Sequence, residues 1–223
     1  MKEEVDFCID HPANIAALLQ NDTIDMGLIP VAAEPGLKKH FTVSDYGIAC
    51  DGEVASVCLF SDVPIEEIKI ILLDYQSRTS VALLKLLLSE HWKISPLLIE
   101  GTAHYETDIS GSTAGLVIGD RAFAQRLKNR YIFDLGLAWK EMTGLPFVFA
   151  TWVSNCVLSA HFIAAFNDAI EYGLKHLDEV VNQNPYTNFD LKAYYTQFIQ
   201  FRLNEEMLVA KDLFLKKIDG MHV

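Results

Sequence analysis

A buried apolar strand that runs straight into a polar turn and then into an apolar helix leaves few folds open to a chain. Here Ile70-Ile71-Leu72-Leu73 is followed by Asp74-Tyr75-Gln76-Ser77-Arg78-Thr79-Ser80, and then by Val81-Ala82-Leu83-Leu84-Lys85-Leu86-Leu87-Leu88. The first four residues predict a fully buried strand, and the last eight are good helix formers. Such a unit belongs to α/β architecture. It also leaves the first backbone N–H groups of the helix without partners, at the positive end of its dipole and beside three hydroxyls. That combination suits an anion. Ser77 or Thr79 can equally act as a plain N-cap, and no Gly-rich loop precedes the helix.

The chain of 223 residues has room for one large or two small domains, and 51% of it is apolar, enough for a packed core. No apolar run reaches the roughly 20 residues of a membrane span, and no signal-peptide apolar region follows Met1-Lys2-Glu3-Glu4. Cys8, Cys50, Cys58 and Cys156 are scattered without a Cys-x-x-Cys pair, which reads as reduced core thiols in a cytoplasmic protein. The seven His residues stand singly, so no metal site is expected. A formal net charge of −12 disfavours nucleic acid and anionic membrane as partners. A small anion remains possible if local donors hold it.

Along the chain, residues 5–9 alternate as a strand, a helix opens at His11-Pro12, and residues 24–29 form a second strand closed by Pro30. This β–α–β rhythm predicts parallel pairing. Residues 41–49 and 54–60 read as further strands, 97–100 and 114–118 as two more, and 101–111 as a polar loop or a poorly patterned helix. The second of these last strands enters Gly119-Asp120-Arg121 and a helix over 122–127, a second strand–turn–helix junction where ligands of open α/β sheets bind. Asp120 is expected to cap that helix. Residues 147–152 form an aromatic strand. Beyond them the chain reads as helical, over 157–181, 189–201 and 204–218, with Asp190 and Asn204 as first-turn or cap residues.

A helical tail without a sheet must bury its apolar stripe on the first block. The expected architecture is two lobes, 1–61 plus 147–223 and 62–146, joined by strands 54–60 and 147–152. The Ser77 junction then faces a cleft that closes on a small ligand by hinge motion.

Several stretches in one order resemble the chorismate dehydratase family of the futalosine route to menaquinone. They are Ile29-Pro30, Glu53-Val54-Ala55-Ser56-Val57-Cys58-Leu59-Phe60-Ser61, Asp74-x-x-Ser77-Arg78-Thr79-Ser80, Val117-Ile118-Gly119-Asp120, and Asp134-Leu135-Gly136 through Trp139 to Thr143-Gly144-Leu145-Pro146-Phe147-Val148-Phe149-Ala150. The resemblance implies a fold similar to type II periplasmic binding proteins and loss of water from chorismate, giving 3-[(1-carboxyvinyl)oxy]benzoate without metal or organic cofactor. It implies substrate contacts from Ser77, Arg78, Thr79, Ser80, Ile29, Pro30, Gly119 and Asp120, with Ser77 the best catalytic candidate and the general base unidentified. Family members begin with a further strand and helix whose Asn reaches the substrate. The sequence given starts after that point, so impaired activity is expected. A sister enzyme, 1,4-dihydroxy-6-naphthoate synthase, carries a His base where Gly119 stands, which favours the dehydratase. A non-catalytic binding protein for a small carboxylate is the other alternative. The oligomeric state is not legible.

Overall fold

A computed structural model describes residues 5–221. In chain order the elements are α1 (Pro12–Gln20), β1 (Met26–Pro30), β2 (Phe41–Cys50), β3 (Val57–Ser61), β4 (Ile70–Leu73), α2 (Arg78–Leu87) and β5 (Leu97–Glu100). There follow β6 (Thr113–Ile118), α3 (Asp120–Gln125), β7 (Tyr131–Asp134), α4 (Leu135–Thr143), β8 (Phe147–Ser154), α5 (Ala160–Lys175), α6 (Leu177–Gln183), α7 (Leu191–Ala193), β9 (Gln200–Arg202) and α8 (Glu205–Asp219).

The strands form two sheets, ordered β1-β8-β2-β9 and β5-β4-β6-β3-β7. In the second sheet β4 pairs in parallel with β5 and β6, so its carboxyl end and that of β6 point the same way. Both strand–turn–helix junctions therefore open at one edge, which is what the sequence argument required. The burial of β4 alternates, Ile71 and Leu73 being buried and Ile70 and Leu72 half-exposed, where full burial was expected.

The first sheet differs from expectation in three ways. Residues 5–9 form no strand: Phe7 is 79% and Ile9 86% exposed. Their alternation suits a pleated surface, but no described strand lies beside them, and an isolated strand is not stable in water. The expected parallel pairing is thus absent, and β1 pairs antiparallel with β8, Met26 opposite Ser154 and Pro30 opposite Ala150. Finally, the tail is not wholly helical. Residues 189–201 hold only the single turn α7, a π-turn over Tyr194–Phe198, and β9, which extends the first sheet beside β2.

β8 is the spine of the first sheet, with seven of its eight residues buried. α8 packs across it, placing Phe214 edge-on against Phe147 and Trp139. β3 and β8, expected to cross between lobes, each lie wholly in one sheet, β3 in the second between β6 and β7 and β8 in the first between β1 and β2. The chain therefore passes from one sheet to the other at residues 51–56 and returns through α4.

Asp134 holds that first crossing in place. Its Oδ1 accepts from the amides of Gly136 (2.9 Å) and Leu137 (3.1 Å) at the start of α4, as an N-cap. Its Oδ2 accepts from Ala55 N–H at 2.7 Å, and both oxygens lie 3.1 Å from the Val54 nitrogen. One carboxylate thus joins segments 80 positions apart. Burial raises this carboxyl above the ordinary aspartate value, with the Val54, Leu137 and Ala55 amides and the Arg126 charge opposing. A carboxyl raised on folding binds its proton more readily in the native state. The proton-linked part of its contribution to stability is therefore full below the unfolded value and lost as pH climbs through the raised one, while the hydrogen bonds from the four amides persist to the ionised carboxylate.

Candidate active site

The β4–α2 junction is built by its own side chains. Ser77 has an extended backbone (φ −133°, ψ 109°) and is the N-cap of α2. Its Oγ accepts from Ser80 N–H at 3.1 Å and donates to Ser80 Oγ at 2.8 Å, while its carbonyl accepts the Val81 N–H at 3.3 Å. The capping role weighed above for Ser77 is therefore present. Two of the four leading amides of α2 are satisfied this way. The other two, Arg78 N–H and Thr79 N–H, have no acceptor among the described residues, as the geometry of a helix start requires.

Thr79 and Ser80 are buried. Thr79 Oγ1 accepts the Ala32 N–H at 3.1 Å, from the 3₁₀ turn Val31–Gly36 that follows β1. Ala32 and the α2 tip share a crevice of ≈ 580 Å³ with Tyr75, Ser77, Arg78, Val81 and Leu215 on its walls. This is within the range of about 300–1,000 Å³ typical of small-molecule sites. Arg78 is exposed and makes no ion pair among the described residues, so its guanidinium is available to a ligand.

Behind the turn lies a charged wall that the sequence reading missed. Asp74, at the end of β4, is buried and accepts from Gln76 N–H (2.7 Å), Tyr105 Oη (2.9 Å) and Arg121 Nη2 (2.6 Å). Arg121 also reaches Glu106 at 2.5 Å and Gln76 Oε1 at 3.0 Å, and lies against the rings of Tyr75 and Tyr105. Burial, reinforced by the Asp74 charge, pushes the Tyr105 hydroxyl well above the phenol range, so it remains a donor. The sequence signals were the positions of Asp74 and Arg121, each just past the end of its strand at one of the two junctions.

That second junction is close by but differently made. The N-cap of α3 is Gly119, not Asp120, and no side chain caps the helix; Asp120 is its first residue and exposed. The reason is backbone shape. Gly119 has φ 63° and ψ −147°, near a region that essentially only glycine occupies, and its N–H donates to Ser56 O at 2.8 Å. Gly119→Ala is expected to cost about 1–3 kcal/mol through that strain, measured as a lower denaturant midpoint with an unchanged slope. Ser56 Oγ in turn lies 2.8 Å from Tyr194 Oη, and burial raises that phenol to about 12.

Of the expected contacts, the structure brings Ser77 and Arg78 to the crevice and keeps Thr79 and Ser80 directly behind them. Gly119 and Asp120 stand on the neighbouring junction, tied to the first through the Arg121–Asp74 pair. Ile29 is fully buried against Ile15 and Leu19, and Pro30 is buried as the residue that starts the Val31–Gly36 turn. One further buried cluster holds that turn: Lys211 Nζ of α8 lies 2.9 Å from Glu34 Oε2, and Thr151 Oγ1 of β8 donates to Glu34 Oε1.

The menaquinone biosynthesis family model matches residues 1–219. A chorismate dehydratase of Thermus thermophilus is 32% identical over 192 residues, covering 76% of this chain and 69% of that protein. Among solved structures, AF1704 from Archaeoglobus fulgidus superposes with a TM-score of 0.75 at 16% identity, covering 98% of this chain and 86% of that one. The periplasmic aliphatic sulphonate-binding protein SsuA from Escherichia coli superposes at 0.55 and 12% identity, covering 93% and 78%. The fold is therefore periplasmic-binding-protein-like, with two sheets. With the match running almost end to end and a relative at this identity, the chain belongs to the menaquinone biosynthesis family.

Proposed function

We propose that the protein is a chorismate dehydratase, a lyase that removes water from chorismate to give 3-[(1-carboxyvinyl)oxy]benzoate, in the cytoplasm and on the futalosine route. The observation that carries this reading is the pair of open amides, Arg78 N–H and Thr79 N–H, on a helix tip that borders a crevice of ligand size. Chorismate carries two carboxylates. Helix-tip amides and the Arg78 guanidinium can hold one of them with charge-assisted hydrogen bonds.

In the elimination, the C–H bond at the ring carbon bearing the enolpyruvyl ether breaks, as does the C–O bond to the neighbouring hydroxyl. A new C=C bond completes the aromatic ring, and the proton and hydroxide leave as water. Asp74 is ion-paired and Tyr105 is a locked donor, so neither is a free base at the turn. The enolpyruvyl carboxylate of the substrate is the base in this reading. The protein supplies orientation and a fixed field.

The test is direct. Chorismate mixed with the chain is expected to give aromatic product absorbance that saturates with substrate. Saturable binding without product supports instead a capture protein for small carboxylates. Turnover lost through one cleft carboxylate or His, with binding intact, contradicts the substrate-assisted proton transfer.

A further inference from the structure

Lys211 and Glu34 form a buried ion pair. Glu34 is 3% and Lys211 8% exposed, on a turn and a helix otherwise packed through apolar side chains. A buried ion pair is weak evidence for stability, because desolvation offsets most of its attraction. Its neighbours are more informative. Glu34 sits in the Val31–Gly36 turn, held from one side by Lys211 of α8 and from the other by Thr151 of β8. Two residues earlier in the same turn, the Ala32 amide donates to Thr79 Oγ1. Thr79 belongs to the first turn of α2 and carries one of the two open amides.

We propose that Lys211 and Glu34 are positioning residues for the α2 tip. The ion pair fixes the Val31–Gly36 turn, the turn fixes the Thr79 hydroxyl, and the hydroxyl fixes the direction of the Arg78 and Thr79 amides. Neither charged group touches the substrate. A single helix turn fixed from outside presents its N–H groups at constant angle, and misplacement by a fraction of an ångström weakens every hydrogen bond they make. The role rests on the functional reading above, since it concerns how that site grips a carboxylate.

The test is a double-mutant cycle. Lys211→Met combined with Glu34→Gln removes the pair without leaving one charge buried alone. Thr79→Val removes the hydroxyl at the other end of the relay. Each change is expected to raise the KM for chorismate about tenfold, the effect of one weakened charge-assisted hydrogen bond, with kcat within about twofold. Combined, they are expected to raise KM no further than either alone, because both cut the same relay. Additive effects, or a lower melting temperature with KM unchanged, overturn the proposal. Should the pair variant fail to fold, Thr151→Val takes its place, with a rise of about threefold and the same loss of additivity. If the wild-type chain does not turn chorismate over, the functional reading fails on its own. The same cycle is then read in the Kd for benzoate, and a wild-type chain that binds no benzoate overturns this proposal as well.

Discussion

Asp134→Ala is expected to lower stability by about 3–5 kcal/mol, because buried donors are left without an acceptor. The Val54 and Ala55 amides lose the carboxylate that holds them on the crossing between the sheets, and the Gly136 and Leu137 amides lose their cap. In a chain of this length that loss corresponds to a fall in melting temperature of about 10 °C. The neighbouring Arg126, whose Nη2 lies 3.9 Å from Asp134 Oδ2, loses its carboxylate at the same time. Asp134→Asn keeps the shape but places an NH₂ group where at least one amide needs an acceptor, so it is expected to recover only part of the loss. Thermal unfolding of the two variants checks this. A variant at position 134 with wild-type stability shows that residues 51–56 are held by something other than this carboxylate.

Arg78→Pro is expected to weaken substrate binding far more than Arg78→Ala. Alanine removes the guanidinium and keeps the amide, whereas proline removes both. Position 78 is the first residue of α2, the place where a helix accepts proline without losing an internal hydrogen bond. Ser77 already has the extended backbone that a residue before proline adopts. The fold should therefore survive both changes within about 1 kcal/mol. Losing one amide that grips a carboxylate is expected to raise KM by about 10–100-fold beyond the alanine variant. Steady-state kinetics of the two variants side by side isolate the contribution of a single backbone N–H. Equal KM values contradict a role for that amide.

Much of this site could be read in the sequence, because its decisive parts are local. The strand 70–73, the polar turn and the helix behind it lie within twenty residues, and Ser77 shows the spacing of a cap. Asn204 and Asp190 cap α8 and α7 as their residue types suggest. What could not be read depends on distant partners. β7 is four residues and β9 three, and each is a strand only through pairing with β3 or β2. The apolar alternation of residues 5–9 points to a strand that nothing in the described chain completes. Asp74 and Arg121 meet across 47 positions, and Glu34 and Lys211 across 177, with no periodicity to announce either pair. Gly119 is a cap by backbone shape, so a rule based on side-chain oxygens chose Asp120 instead.

The amide resonances of Arg78 and Thr79 give the most direct view of whether a helix tip holds the ligand. Titrating isotope-labelled protein with 3-[(1-carboxyvinyl)oxy]benzoate, which keeps both carboxylates and does not react further by dehydration, should move both amide protons downfield. The Ser80 and Val81 amides, already bonded to Ser77, should move much less. Saturable binding of the ligand with the Arg78 and Thr79 resonances unmoved contradicts the assignment of this site.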